Sequence, residues 1–161
     1  HPSLDVWREN FTGVQYHDTA NNLLIFGAVD DVWIDSSQKL IVVDYKSTST
    51  EKAISLEDQY KQGYKKQLEI YQWLFKKNKF DVSDTGYFVF ANAGKNRDSF
   101  DGKLEFEMSL VPYIGSTEWI DPVISRIKDC LESPSLPTHS PECEYCFYTK
   151  SRLEKTQIFK K

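Results

Sequence analysis

Long apolar runs are missing from this 161-residue sequence. The longest, Leu40-Ile41-Val42-Val43 and Phe88-Val89-Phe90-Ala91, have strand length. They fall far below the roughly 20 residues needed to cross a bilayer, so no membrane partner is expected. Glycine, proline and serine never gather into a tract, and no repeat or low-complexity stretch occurs, which excludes linker-like and solenoid architectures. Cysteine is scarce. Three, an odd number with two in a Cys-x-x-Cys spacing, do not make a secreted disulfide framework and fit a reducing, cytoplasmic interior. The only methionine is the internal Met108 and the chain opens on His1 without a signal-type stretch, so a fragment or processed chain is expected, part of a larger protein or complex. Positive charge is not in excess either. A formal charge of −4 does not advertise a nucleic-acid binder, yet net charge is not distribution. Lysines concentrate between Lys61 and Lys79 and between Lys150 and Lys161, whereas acids concentrate between Asp30 and Asp58.

What is present suits one globular domain over 1–161, with a core over about 14–132 and a cysteine-containing tail over 133–161. Leu4, Trp7 and Phe11 have helical spacing. Strands are expected at Val14 to Asp18 and, after an Asn21-Asn22 turn, from Leu23 to Ile34. Polar turn residues Asp35-Ser36-Ser37-Gln38 lead into a central strand, Leu40 to Lys46, apolar on both faces until Asp44. A helix from about Glu57 to Asn78 carries Tyr60, Tyr64, Leu68, Tyr71 and Phe75 on one face. A strand from Gly86 to Ala91 follows, then a polar loop from Asn92 to Lys103. Leu104, Phe106, Met108 and Leu110 then alternate as in a half-buried strand. The last helix starts near Ser116, turns Ile120, Val123, Ile124, Ile127 and Leu131 inward, and stops before Pro134.

Strand alternation sends Asp44 and Lys46 to one face and Tyr45 to the other. Whether Asp30 joins them depends on the intervening loop. An odd-length connection, three or five residues, places Asp30 on the face of Asp44 and Lys46, whereas four without a bulge turn it away. Two opposed carboxylates repel unless a cation lies between them, and oxygen-only ligation with room for water and phosphate oxygens suits Mg²⁺. Lys46 would orient or deprotonate a water, or offset charge developing on a phosphate. The bland alternative is a local ion pair at a fraying strand end. Asp31, on the opposite face, reads as structural or as a phosphate-excluding surface acid.

Gly27-x-x-Asp30, Asp44-Tyr45-Lys46 and Gln67-x-x-x-Tyr71, in that order and spacing, resemble the PD-(D/E)XK nucleases, in particular their RecB-type branch. The resemblance implies an α/β (α+β), restriction-endonuclease-like fold, a mixed β-sheet flanked by helices. It also implies single- or double-stranded DNA as substrate and dependence on Mg²⁺ or Mn²⁺. Asp30 and Asp44 would be the metal ligands, with Lys46, Gln67 and Tyr71 completing the catalytic set. Gln67 and Tyr71, one helical turn apart, are placed to position Lys46, a water or a phosphate. Members of that branch commonly add an upstream His or Glu, and here His1 alone stands near such a position. Lys61, Lys65 and Lys66 are the candidate DNA contacts.

Cys143-x-x-Cys146 looks like the C-terminal cysteine pattern of the iron-sulfur members, whose third cysteine would fall where Arg152 stands. The chain alone lacks four thiolates, so no iron-sulfur cluster is expected. Zinc held by Cys143, Cys146, His139 and Cys130 is stereochemically allowed. The favoured alternative keeps Cys130 in the core of the last helix and lets the pair pack as small apolar side chains. The leading reading is a metal-dependent DNA nuclease; the runner-up is a non-catalytic DNA-binding or assembly module that keeps the fold.

Overall fold

The computed structural model describes residues 1–58, 61–95 and 102–158, with backbone alone for 157 and 158. It divides into two compact units, His1–Ser125 and Arg126–Lys161. Tyr60, residues 96–101 of the expected polar loop, and Lys160 and Lys161 of the C-terminal lysine cluster lie outside the described residues.

The first unit opens with α1 (Leu4–Trp7), shorter than the spacing of Leu4, Trp7 and Phe11 suggests, since Phe11 is exposed. β1 (Val14–Asp18) pairs antiparallel with β2 (Leu23–Gly27) through a turn in which Asn22 takes φ 52°. The strand expected from Leu23 to Ile34 is two strands. β2 stops at Gly27, and β3 (Asp31–Ile34) belongs to another sheet. The break has a tertiary cause, because the Val29 N–H donates to the Trp7 carbonyl (3.0 Å) and Arg8 Nε to the Asp30 carbonyl (2.8 Å).

β4 (Leu40–Thr48), β5 (Thr85–Ala93) and β6 (Phe106–Ile114) complete a four-stranded sheet in the order β3-β4-β5-β6. The β4–β5 pair is parallel and the other two are antiparallel. A parallel pair needs a crossover, and α2 (Gln62–Lys77) lies within it. The helix starts several residues later than its apolar pattern suggests. It ends where Lys79, at φ 68°, lets the Phe80 N–H reach the Phe75 carbonyl (3.1 Å) and its own N–H reach that of Lys76 (3.0 Å). This mixed sheet flanked by helices is the restriction-endonuclease-like α/β arrangement.

Leu68, Leu74 and Phe75 of α2 are fully buried with Val42 of β4 and Phe88 of β5. Each such side chain contributes on the order of 1.5–3 kcal/mol to the sheet–helix interface. On β6 the expected inward set is reversed: Leu104, Phe106, Met108 and Leu110 are exposed, whereas Val111 and Tyr113 pack on the core. Alternation groups residues by face but does not say which face is covered, and the tie between Tyr113 and Glu69 of α2 decides it. α3 (Ile120–Glu132) buries Ile120 and Ile124, but Ile127 and Leu131, expected inward, are exposed. Helical spacing aligned that stripe without fixing how much of it is covered. The second unit contains α4 (Glu144–Ile158), a helix in the segment read from sequence as a tail.

Candidate active site

The β3–β4 connection, Asp35 to Lys39, has five residues, so paired positions are Asp31 with Val43 and Val32 with Val42. Continued by one position, that register sets Asp30 across from Asp44. The turn is held by Asp35, whose Oδ1 accepts the N–H groups of Ser37 (2.8 Å) and Lys39 (2.9 Å), with Gln38 at φ 65°.

Asp44 is the buried acid of the site, with 0% of its surface exposed. Lys46 Nζ lies 2.5 Å from its Oδ2 as an ion pair, whereas its Oδ1 has no hydrogen-bond partner among the described residues. Burial pushes its pKa above the ordinary carboxylate range; the Lys46 ammonium opposes that shift, and the Asp30 charge adds to it. Asp30 sits at the exposed rim, where its Oδ2 accepts the Tyr45 N–H (2.8 Å). Tyr45 points to the other face, where its hydroxyl donates to Asp31 Oδ2 (2.8 Å).

α2 supplies the rest. Lys46 Nζ donates to Gln67 Oε1 (3.1 Å) and lies over the Tyr64 ring, 4.6 Å from its centroid. Gln67 Nε2 in turn donates to the Tyr71 hydroxyl (2.9 Å). Burial raises the Tyr71 pKa, and the charges of Asp44 and Asp30 both raise it further. Asp44, Lys46, Gln67 and Tyr71 thus form one continuous chain of contacts from β4 to α2. Gly27 has a steric part in it, because a Cβ there would lie 2.8 Å from Tyr71 Cε1. Thr48, two residues past Lys46 on the same strand face, lines a cleft of about 300 Å³ with Thr50, Lys52, Ser55, Lys61 and Phe90.

Other expected site residues stand apart. His1 stacks on Trp7 (4.4 Å between centroids) and its Nδ1 accepts the Ser3 N–H (3.1 Å). Among the described residues no three His, Cys, Asp or Glu side chains form a group able to hold an ion. His1 therefore does not join Asp30 and Asp44, and Cys130, Cys143, Cys146 and His139 do not assemble a zinc site. Cys130 is exposed rather than core. Cys143 Sγ accepts the Cys146 N–H (3.4 Å), and hydrogen bonding with the Cys146 thiol and N–H lowers the Cys143 pKa. Lys61 is buried, donating to the Ser55 carbonyl (2.6 Å) and pairing with Asp58 (2.7 Å), which removes it from the candidate DNA surface. Lys65 is largely covered, 3.7 Å from Glu57, whereas Lys66 is exposed.

Two neighbours of the candidate site escaped sequence reasoning. Arg8 binds both the Asp30 carbonyl and the Asp31 carboxylate (3.1 Å), so Asp31 is tied into structure by Arg8 and Tyr45. Glu69, one helical face away from the site, is buried and accepts from Tyr113 Oη (2.7 Å), the Ser116 N–H (3.2 Å) and Trp119 Nε1 (2.6 Å). No local pattern marks either residue, since their partners are distant in sequence.

A central strand bearing Asp-x-Lys, an aspartate across from it on the neighbouring strand, and a Gln/Tyr helix over the same face define a chain with a restriction-endonuclease-like core. A model of the PD-(D/E)XK nuclease superfamily matches residues 4–151, and the chain belongs to that superfamily. Comparison with curated proteins gives no match.

Proposed function

We propose that this chain is a Mg²⁺- or Mn²⁺-dependent deoxyribonuclease of the RecB type, hydrolysing phosphodiester bonds at the Asp30/Asp44/Lys46 pocket. The supporting observation is Asp44, a wholly buried carboxylate whose Oδ2 pairs with Lys46 while its Oδ1 has no hydrogen-bond partner among the described residues, and which a second carboxylate repels. A buried carboxylate oxygen left open is costly, and a divalent cation is its natural complement. The donor set fits. Two carboxylates, with remaining positions left to water and substrate oxygens, are what Mg²⁺ accepts.

Asp30 and Asp44 would hold the ion, whose chemistry when bound is Lewis-acid polarisation of the phosphodiester and acidification of a water molecule. Lys46 offsets charge developing on the phosphate or orients the water. Gln67 and the Tyr64 ring fix where its ammonium sits, and Tyr71 fixes Gln67. Preorganisation of this kind matters because reorienting a charge during reaction raises the barrier. Lys66, exposed on α2, and Lys52, in the cleft beyond Thr48, are the cations best placed to meet the DNA backbone.

The test is cleavage of single- and double-stranded DNA with Mg²⁺ or Mn²⁺ by the wild type and by Lys46→Ala. A loss of about 10²- to 10³-fold in kcat is expected of the variant. Equal activity would remove the lysine from the mechanism. DNA binding by a wild type that cuts under neither ion would favour the second reading, a non-catalytic module retaining the fold.

A further inference from the structure

Asp30 is exposed, lies in the short break between β2 and β3, and is outside every hydrogen-bonded ladder. A ligand so placed needs an external constraint to hold one geometry. The other face of the sheet supplies a closed circuit of contacts. Arg8, just past the end of α1, donates from Nε to the Asp30 carbonyl (2.8 Å) and pairs through Nη2 with Asp31 Oδ1 (3.1 Å). Asp31 Oδ2 accepts from the Tyr45 hydroxyl (2.8 Å), and the Tyr45 N–H returns to Asp30 Oδ2 (2.8 Å). Asp30 is thereby fixed at its main-chain oxygen and at its carboxylate, and Val29 beside it is anchored by the Trp7 carbonyl (3.0 Å).

We infer that Arg8, Asp31 and Tyr45 form a buttress behind the sheet that positions Asp30, so that a side chain touching neither ion nor DNA sets the affinity of the Asp30/Asp44 pair for a divalent cation. The inference rests on the proposed function and extends it to residues outside the pocket. A plain surface ion pair is the competing explanation, and the two differ in what they move. The Arg8 side chain is 44% exposed, and pairs of that kind contribute little to stability. Partners that orient a metal ligand, in contrast, typically change metal affinity about 10- to 100-fold when removed. The hydrogen bond to the Asp31 carboxylate is also the main cause holding the Tyr45 pKa above its ordinary range.

The experiment measures Mn²⁺ binding by titration calorimetry, without DNA, alongside the thermal midpoint of the metal-free protein. Wild type, Arg8→Ala, Arg8→Lys and Tyr45→Phe are compared. Arg8→Ala should bind Mn²⁺ about 10- to 100-fold more weakly with a midpoint lowered by no more than about 4 °C. Arg8→Lys should not restore binding, because one ammonium replaces a planar fork that reaches two acceptors. Tyr45→Phe, which removes one hydroxyl, should weaken binding less. Should Arg8→Ala fail to fold, Tyr45→Phe decides, and its unchanged affinity overturns the buttress. Wild-type binding matched by Arg8→Ala within about twofold, against the 10-fold or larger effect expected, overturns the buttress and leaves the proposed function standing. A wild type that binds no Mn²⁺ overturns both.

Discussion

Asp44 is a carboxyl group buried between its Lys46 partner and the repelling Asp30. Its pKa is raised mainly by burial. In the metal-free protein its stabilising contribution is therefore present below the unfolded value of about 3.9 and is lost as pH rises through the folded value. Above that folded value the ionised group weakens the fold. Asp44→Asn should raise the metal-free midpoint, by about 2–4 °C for each kcal/mol relieved, and abolish Mn²⁺ binding. Scanning calorimetry with and without Mn²⁺ checks both, and a lowered metal-free midpoint would mean that the pairing with Lys46 outweighs burial. Asp44, Lys46, Gln67 and Tyr71 were legible in the sequence because each relation is local: two positions along a strand, four along a helix. Arg8 was not, because its partner lies 22 positions away and an exposed arginine near a chain start carries no pattern of its own.

At the scale of elements, β1 and α2 were readable from alternation and helical spacing, whereas the break between β2 and β3 was not. Residues Leu23 to Ile34 are rich in β-branched and aromatic residues on both sides of Gly27-Ala28-Val29-Asp30, and the division there is held by Trp7 and Arg8 taking up backbone groups of Val29 and Asp30. The helix–sheet register depends on Glu69, whose three donors come from β6 and the segment leading to α3. Burial and this carboxylate push the Tyr113 phenol above its ordinary range. Glu69→Ala leaves the half-buried Tyr113 and Trp119 donors unpaired, and about 2 kcal/mol of stability should be lost in urea melts. The β1–β2 turn has its own pH signature. Asp18 accepts from Asn21 Nδ2 (2.7 Å) and the Ala20 N–H (3.1 Å), and the Asn21 bond is the largest cause holding its pKa below the usual value. A depressed folded pKa contributes stability above about pH 3.9 that disappears as pH falls through the folded value. Asp18→Asn should show a shallower acid limb than wild type in denaturation between about pH 2 and 6, and identical limbs would remove Asp18 from the acid response.

Across the whole molecule, the crossover of α2 between parallel β4 and β5 brings Asp44 and Lys46 under Gln67 and Tyr71. That much follows from the order strand, helix, strand. The partition into His1–Ser125 and Arg126–Lys161 did not announce itself, since no Gly- or Pro-rich linker precedes residue 126. The five residues between β3 and β4 have a further consequence for how this hairpin tolerates change. Side chains on a strand know only two directions, so the connection counts in parity: one added residue exchanges the two faces of everything upstream, and a second restores them. A single glycine inserted between Ser36 and Ser37 should abolish Mn²⁺ binding in calorimetry while leaving the circular dichroism of a folded protein, and two glycines should bring binding back. Length drift at this turn is then permitted in even steps and forbidden in odd ones, a rule imposed by chemistry at Asp30 and Asp44, outside the turn itself.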